Sequence, residues 1–398
     1  MIPTTLKDPE TLEKLKSQAS FSGLYQFFDT FVDIRTNAQE ILEGFHKIYW
    51  RFSRNAVTPK DSPKKDLYII ESVSKNPQLN VICDEDYQVL DNQTVTPNLY
   101  LFIFSFIIPK VKSHFLVHAA TLSYQDKATV ITAHSTSGKT TLAVELIKKG
   151  LNFLSDELAP IHRITHKIDP FTRSIGLRNL AIHNLEKTAD KIYRAPNAKG
   201  EIKWMIDPED LRKGSVGDSC TCQNVIFLEP QYEEDFQSET HQILDICFTR
   251  INPSLTEAIK RIPGVHQIEN ISDRMFPLLR LLVEKEAKIL QDVEEATRVY
   301  ESAIVSVVHG KTKKPDFSLQ PVLKPMTKFE GTFELAKMML NTHPEASLMD
   351  EFNQSPALLL SHLADITASF NFYKLMVGRL DLMTNMVENL MKNRSAED

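Results

Sequence analysis

Apolar and polar positions change rhythm along the chain. From Phe27 to Ile34 they alternate as in a strand, and Asp66 to Val73 and Leu79 to Cys83 predict two more strands. Ile41, Leu42, Phe45, Ile48 and Tyr49 share one face of a helix predicted over 38–49. Residues 1–110 are therefore expected to form a small α/β region. From Phe115 to about Arg250, short apolar runs are separated by polar turns. Ala128 to Thr132 and Asn224 to Glu229 predict core strands, with a helix from Thr140 to Lys149 between them. That rhythm is expected of an α/β core over 111–260. Beyond Arg250, Leu282, Ile289, Val293, Ala296, Tyr300 and Ile304 recur at spacings of three, four or seven. This predicts one long amphipathic helix within 277–308. His309 to Lys328, with Pro315, Pro321 and Pro325, reads as a linker, so 261–325 is expected as a helical insertion and linker. Leu380, Met383, Val387, Leu390 and Met391 mark a last helix in a helical C-terminal part, 326–398. Their leucines and methionines are core material.

Charge narrows the partners. The 46 Lys and Arg against 52 Asp and Glu leave a net charge of −6, which gives no basic footprint for nucleic acid or an anionic membrane. The most apolar stretch, Leu99 to Ile108, is half of the ~20 residues a spanning helix needs, and the N-terminus carries no apolar signal region. Cys83, Cys220, Cys222 and Cys247 are too scattered for a disulfide framework, and the Cys220-x-Cys222 pair lacks a second pair with metal-ligand spacing. A soluble protein of the reducing cytoplasm, without nucleic-acid or membrane partners, is the expectation. Homo-oligomerisation is left open.

The first chemical signal lies at 128–150. A β-branched run ends at Thr132, a small polar loop follows through Ala133, Ser135, Thr136 and Ser137, and Gly138-Lys139-Thr140-Thr141 opens a helix with Leu142, Leu146 and Ile147 inward. Loop and helix N–H groups there can face phosphate oxygens, Lys139 adds positive charge, and the Thr140 hydroxyl suits magnesium. Ala133 stands where the phosphate-loop pattern has its first glycine. Gly310-Lys311-Thr312 repeats the tripeptide but runs into Lys313-Lys314-Pro315, which cannot open a helix.

A second signal follows the helix. Leu151 to Leu154 lead into Ser155-Asp156-Glu157. Carboxylates at a strand end beside a phosphate loop can hold magnesium or accept a hydroxyl proton. The same residues would equally suit a helix N-cap. His118, fifteen residues before Ala133, is by itself an ordinary histidine.

Taken together, His118, the Ser137-Gly138-Lys139-Thr140 loop and an acidic pair beginning seventeen residues past Lys139 resemble the kinase domain of HPr kinase/phosphorylase. Leu146-Ile147-Lys148-Lys149-Gly150 and Leu154-Ser155-Asp156-Glu157-Leu158 also look like that family. The likeness is greatest to its divergent members, including those of peptide natural-product clusters that phosphorylate a hydroxyl of a precursor peptide. It covers residues 115–180 well, and Leu375 to Leu380 weakly.

The resemblance implies a P-loop kinase core of the HPr kinase/phosphoenolpyruvate carboxykinase type, with an N-terminal α/β region and helical C-terminal additions. It implies ATP and Mg2+, with Ser135 to Thr141 cradling the nucleotide and Lys139 on its β- and γ-phosphates. Thr140 would bind the metal, assisted by Glu157. Asp156 would be the catalytic base toward a serine-type hydroxyl of a peptide or protein, and His118 would sit beside Asp156 and tune it. The second acid is Glu where the family has Asp, and Thr172-Arg173-Ser174-Ile175-Gly176 is the nearest match to its Glu-x-Arg-Gly signature. Arg173, Arg178 and Arg250 could serve the transferring phosphoryl group, but read as ordinary surface arginines. Two alternatives stay open: a kinase of free serine or a similar metabolite, and a nucleotide-binding module without transfer.

Overall fold

The computed structural model describes residues 8–54, 64–72, 78–84, 86–91, 102–133, 137–177, 185, 193–196, 202–231, 241–248, 251–270, 278–285, 288–300, 302–310, 316–342 and 346–392. The chain is a mixed α/β protein with several sheets. It divides into two units, one of residues 1–130, 138–223 and 388–398, the other of 131–137 and 224–387. No helix among the described residues is long and apolar enough to cross a membrane.

The first unit begins with helix α1 (Pro9–Lys16) and a sheet of β1 (Phe21–Phe27), β2 (Thr30–Thr36), β3 (Lys64–Glu71), β4 (Gln78–Cys83) and β5 (Asp86–Asp91), in that order. The alternation over 27–34 belongs to two strands, not one. Phe28 takes a φ of 57° and the chain folds back as an antiparallel hairpin. A two-residue turn preserves a period of two, so the sequence pattern runs straight through it. Strands β2 and β3 are parallel and need a crossover, which α2 (Gln39–Tyr49) supplies while burying Ile41, Phe45, Ile48 and Tyr49. The apolar run ending at Ile108 forms a π-helical turn over Ile103–Ile107, followed by a short 3₁₀ turn.

The second sheet of this unit is centred on β6 (His114–Tyr124). A turn at Gln125-Asp126, both with positive φ, leads into β7 (Lys127–Thr132). The other edge of β6 is shared: β8 (Asn152–Ser155) pairs with its second half and β9 (Leu158–His162) with its first half, both antiparallel. Strand β10 (Lys167–Ile168) borders β9, and β7 borders β14 (Cys220–Pro230), which continues into the second unit. Between β7 and β8 lies α3 (Lys139–Lys148), seated by Leu142, Ala143, Val144, Leu146 and Ile147. A small sheet orders β11 (Ile175–Leu177), β13 (Ile202–Ile206) and β12 (Tyr193–Pro196), and α4 (Pro208–Leu211) follows it.

Asp207, the N-cap of α4, ties this part to the end of α2. Arg51 donates to both its carboxylate oxygens at 2.6 and 2.7 Å, and the Trp50 indole donates at 3.0 Å. Burial pushes the Asp207 carboxyl up, but the Arg51, Glu209 N–H and Trp50 hydrogen bonds more than offset it, so the acid is held below its usual range. An acid with a lowered folded-state value stabilises the fold above the unfolded-chain value, about 3.9, and loses that contribution as pH falls through the folded value. Asp207→Asn is therefore expected to cost about 1.5–3 kcal/mol at neutral pH, the range for hydrogen bonds to charged groups. Urea melts at pH 7 and below pH 3 check this: the gap between the two proteins should close in acid.

In the second unit, β14 runs parallel to β20 (Asn371–Val377), whose other edge takes β19 (Val322–Met326) antiparallel. A further sheet, in the order β16 (Val265–Asn270), β17 (Leu278–Glu284), β15 (His241–Phe248), β18 (Ile304–Gly310), packs on α5 (Pro253–Lys260) and α6 (Ile289–Val299). Leu244, Ile246, Phe248, Leu255, Ile259, Leu281 and Val293 are among its buried core. Helices α7 (Lys328–Lys337), α8 (Ser347–Glu351), α9 (Pro356–Thr367) and α10 (Leu380–Lys392) follow, the last as expected.

The long helix expected within 277–308 is strand, helix and strand. Among its described residues, only 289–299 are helical. Leu282 lies in β17, bonded on both edges, and Ile304 opens β18, whose β-branched Ile304, Val305, Val307 and Val308 favour a strand. Apolar residues at consecutive positions of a buried strand satisfy a helical spacing by default, so the stripe overran its true limits. The expected linker likewise contains β19, where Pro325 is tolerated because the strand lies at the sheet edge. The C-terminal part includes β20 as well as helices.

Candidate active site

Helix α3 starts where the chain can turn sharply. Gly138 is its N-cap at φ 86°, a conformation a side chain would disfavour, and Leu142 donates to the Gly138 carbonyl at 2.9 Å. The first-turn N–H groups of Lys139, Thr140 and Thr141 have no acceptor within the helix, and the dipole adds partial positive charge. Lys139 is buried and Thr140 half-buried. Ser137 is also buried, while Ser135 and Thr136 fall outside the described residues. Ala133 is buried and is not among the described non-glycine residues with positive φ, so alanine is compatible with the backbone there. Of the repeat tripeptide, Gly310 ends β18 and the rest lies outside the described residues, as do Arg178 and Arg250.

Asp156-Glu157 occupies the break between β8 and β9. Register runs from Thr121 opposite Ser155 to His118 opposite Leu158, so the two acids interrupt what would otherwise be one long strand beside β6. They sit across from Ala119 and Ala120, the smallest side chains a strand can offer without glycine, and Ala119 N–H donates to the Glu157 carbonyl at 3.2 Å. Ser155 fixes the bend: its buried hydroxyl accepts from Glu157 N–H at 3.2 Å and Leu158 N–H at 2.9 Å. Strand β9 follows at once, so the helix N-cap reading of these residues does not hold. Strands β7 and β8 both run opposite to β6, and both chains leave the sheet at the same end.

Arg173 completes the cluster. It is a buried residue, 2% exposed, not the surface arginine expected from sequence. One terminal nitrogen lies 2.8 Å from Glu157 Oε2 and 3.4 Å from Asp156 Oδ1; the other donates to the Ser174 carbonyl at 3.1 Å. Asp156 is equally buried, at 2% exposure, whereas Glu157 is half-buried. A buried carboxylate persists as an ion only when paired, and Arg173 supplies a counter-charge here. His118, half-exposed on β6, places Nδ1 3.9 Å from Glu157 Oε1.

Arg173 is held from outside the sheet. Phe171 N–H donates to the Leu154 carbonyl at 2.8 Å, and the Ser174 hydroxyl donates to the Lys47 carbonyl at 3.1 Å. The Phe171 ring packs against Phe27, Phe28, Phe52 and Tyr49, with centroids 5.1–6.3 Å apart. The apolar Phe171 and Ile175 on either side of Arg173 are the sequence signal of a buried segment.

The donor set here is oxygen-rich. The Thr140 hydroxyl and the Glu157 carboxylate are hard ligands of the type magnesium takes. Arg173 already occupies Glu157 Oε2.

No family model matches the chain, and no curated protein matches it. Among solved structures it is similar to the Hpr(Ser) kinase/phosphatase from Coxiella burnetii, at 14% identity and a TM-score of 0.18, over 47% of this chain and 88% of that one.

Proposed function

We propose that this chain is an ATP-dependent kinase that transfers the γ-phosphoryl group to a serine-type hydroxyl of a peptide or protein. The observation that carries the reading is one sheet whose strand β7 feeds a glycine-started helix bearing Lys139 and Thr140, and whose strand β8 ends on a buried Asp156 paired with Arg173. In this reading the α3 N-terminus and Lys139 bind the phosphates, and Thr140 with Glu157 would hold the accompanying Mg2+, which neutralises phosphate charge. Asp156 takes the proton of the acceptor hydroxyl as its oxygen bonds to phosphorus and the bond to the ADP oxygen breaks. Arg173 positions Asp156 and Glu157, and His118 borders Glu157.

A second reading, a nucleotide-binding module without transfer, is favoured by one observation: Asp156 is 2% exposed with Arg173 beside both its oxygens, so an acceptor needs an opening to reach it. Incubation with γ-labelled ATP, separately with a serine-containing peptide library, HPr-like protein and free serine, distinguishes the readings. Label on peptide or protein supports the proposal, and label on free serine alone replaces the acceptor. ATP binding without transfer supports the module. Lys139→Ala is expected to weaken ATP binding about tenfold or more, the charge-assisted contact being worth about 1.5–3 kcal/mol.

A further inference from the structure

At one end of the sheet β16-β17-β15-β18, three adjacent strands converge on a second chemistry. His241 opens β15, Glu284 closes β17, and the two are register partners. His266 is the second residue of β16, where register shifts: Val265 faces Val283 and Gln267 faces Leu282, so His266 is the extra residue of a bulge. Bulges re-aim a side chain, and this one carries the imidazole to its neighbours. His266 Nε2 is 3.2 Å from Glu284 Oε1, and the His241 and His266 rings meet edge-on with centroids 4.8 Å apart. One ligand atom from each of the three residues lies within 4.8 Å of the others.

The backbone is shaped around the carboxylate. Glu284 N–H donates to the Gly264 carbonyl at 2.9 Å. Gly264 has a φ of 86°, and a Cβ there would reach Glu284 Cβ and Oε2 at 3.6 Å and Ile289 Cδ1 at 3.2 Å.

We propose that His241, His266 and Glu284 form a divalent transition-metal site, with zinc the fitting ion. Two imidazoles and one carboxylate are the borderline nitrogen and oxygen donors that zinc prefers over magnesium or calcium. Tetrahedral zinc with bonds of about 2.0–2.2 Å sets its ligand atoms about 3.4 Å apart. The His266–Glu284 pair already meets that spacing, and His241 closes the remainder by side-chain rotation. His266 and Glu284 are exposed and His241 is half-buried, which leaves a fourth position for water. The ion pins β15, β16 and β17 together at one end. Cys220 and Cys222 do not compete: burial pushes the Cys220 thiol up to about 11 and raises Cys222 as well, which disfavours the thiolate a metal needs.

The test is calorimetric titration of zinc chloride into the chelator-treated full chain, with cobalt as a spectroscopic stand-in. One ion per chain is expected, with a visible cobalt spectrum of a four-coordinate N/O site and no thiolate charge-transfer band. Removing even an outer partner of a metal ligand costs about 10–100-fold in affinity, so His266→Ala and Glu284→Gln should each lose at least about tenfold. Both positions are exposed, so the variants fold, and their melts without metal should match the parent. The parent alone should gain melting temperature with zinc, because the ion binds the folded state. No uptake by the parent at millimolar zinc overturns the proposal. So does undiminished affinity in the His266→Ala/Glu284→Gln double variant, or a cobalt spectrum showing thiolate ligands.

Discussion

Replacing Asp156 by asparagine is expected to lower the phosphotransfer rate about 10²–10⁴-fold, the usual worth of a positioned general base. Nucleotide affinity should stay within about twofold, because a proton acceptor acts in the transition state and contributes little to ground-state binding. The amide keeps the shape of the carboxylate at a site with 2% exposure, and Arg173 retains its 2.8 Å contact with Glu157, so the fold should survive. Single-turnover transfer and equilibrium binding of ATP, on the same preparations, separate the outcomes. An unchanged rate would remove Asp156 from the chemistry. Loss of ATP binding without loss of the fold would make it part of the nucleotide site instead.

Arg173→Met is expected to have the largest effect on stability. The guanidinium is a buried counter-charge to Asp156, and taking away one partner of a buried pair costs about 3–5 kcal/mol, because it weakens the compensation of a charge in a poorly solvating interior. Methionine keeps much of the apolar bulk, so the loss reports charge and hydrogen bonding more than a cavity. Adding Glu157→Gln to Arg173→Met should cost less than the sum of the two single changes, as expected for residues in contact. Urea denaturation of the four proteins supplies the cycle. A single-variant cost under about 1 kcal/mol would contradict a buried ion pair at this position.

Local chemistry was legible wherever periodicity and turn residues agreed. Helix α3 was visible from Thr140 to Lys149 because Gly138 precedes it and Leu142, Leu146 and Ile147 share a face. Strands β3, β4 and β7 could be placed within two or three residues from their apolar runs. The failures share a cause. At 27–34 a two-residue turn left the alternation intact, and at 282–304 buried strands imitated a helical stripe, so cross-strand pairing decided the outcome, within the hairpin in the first case and with β15 in the second. The acidic pair could be seen as a motif, but the break it makes opposite Ala119 and Ala120 depends on β6, some forty residues earlier. Arg173 was legible as a residue and illegible as an ion-pair partner, since burial follows from Phe171 reaching the N-terminal sheet. The His241, His266 and Glu284 group has no motif spacing, being assembled from three strands and one bulge.

Phe171 also bears on what can be separated from what. Its ring fills a recess lined by Phe27, Phe28, Tyr49 and Phe52, two residues before the arginine that contacts both acids. A fragment starting at residue 111 would keep Lys139, Asp156 and Arg173 yet leave that ring without its recess. The segment from Phe27 to Phe52 and the acidic pair are therefore coupled structurally, and recombining the Gly138-Lys139 region with a foreign N-terminal segment would have to carry the aromatic recess along.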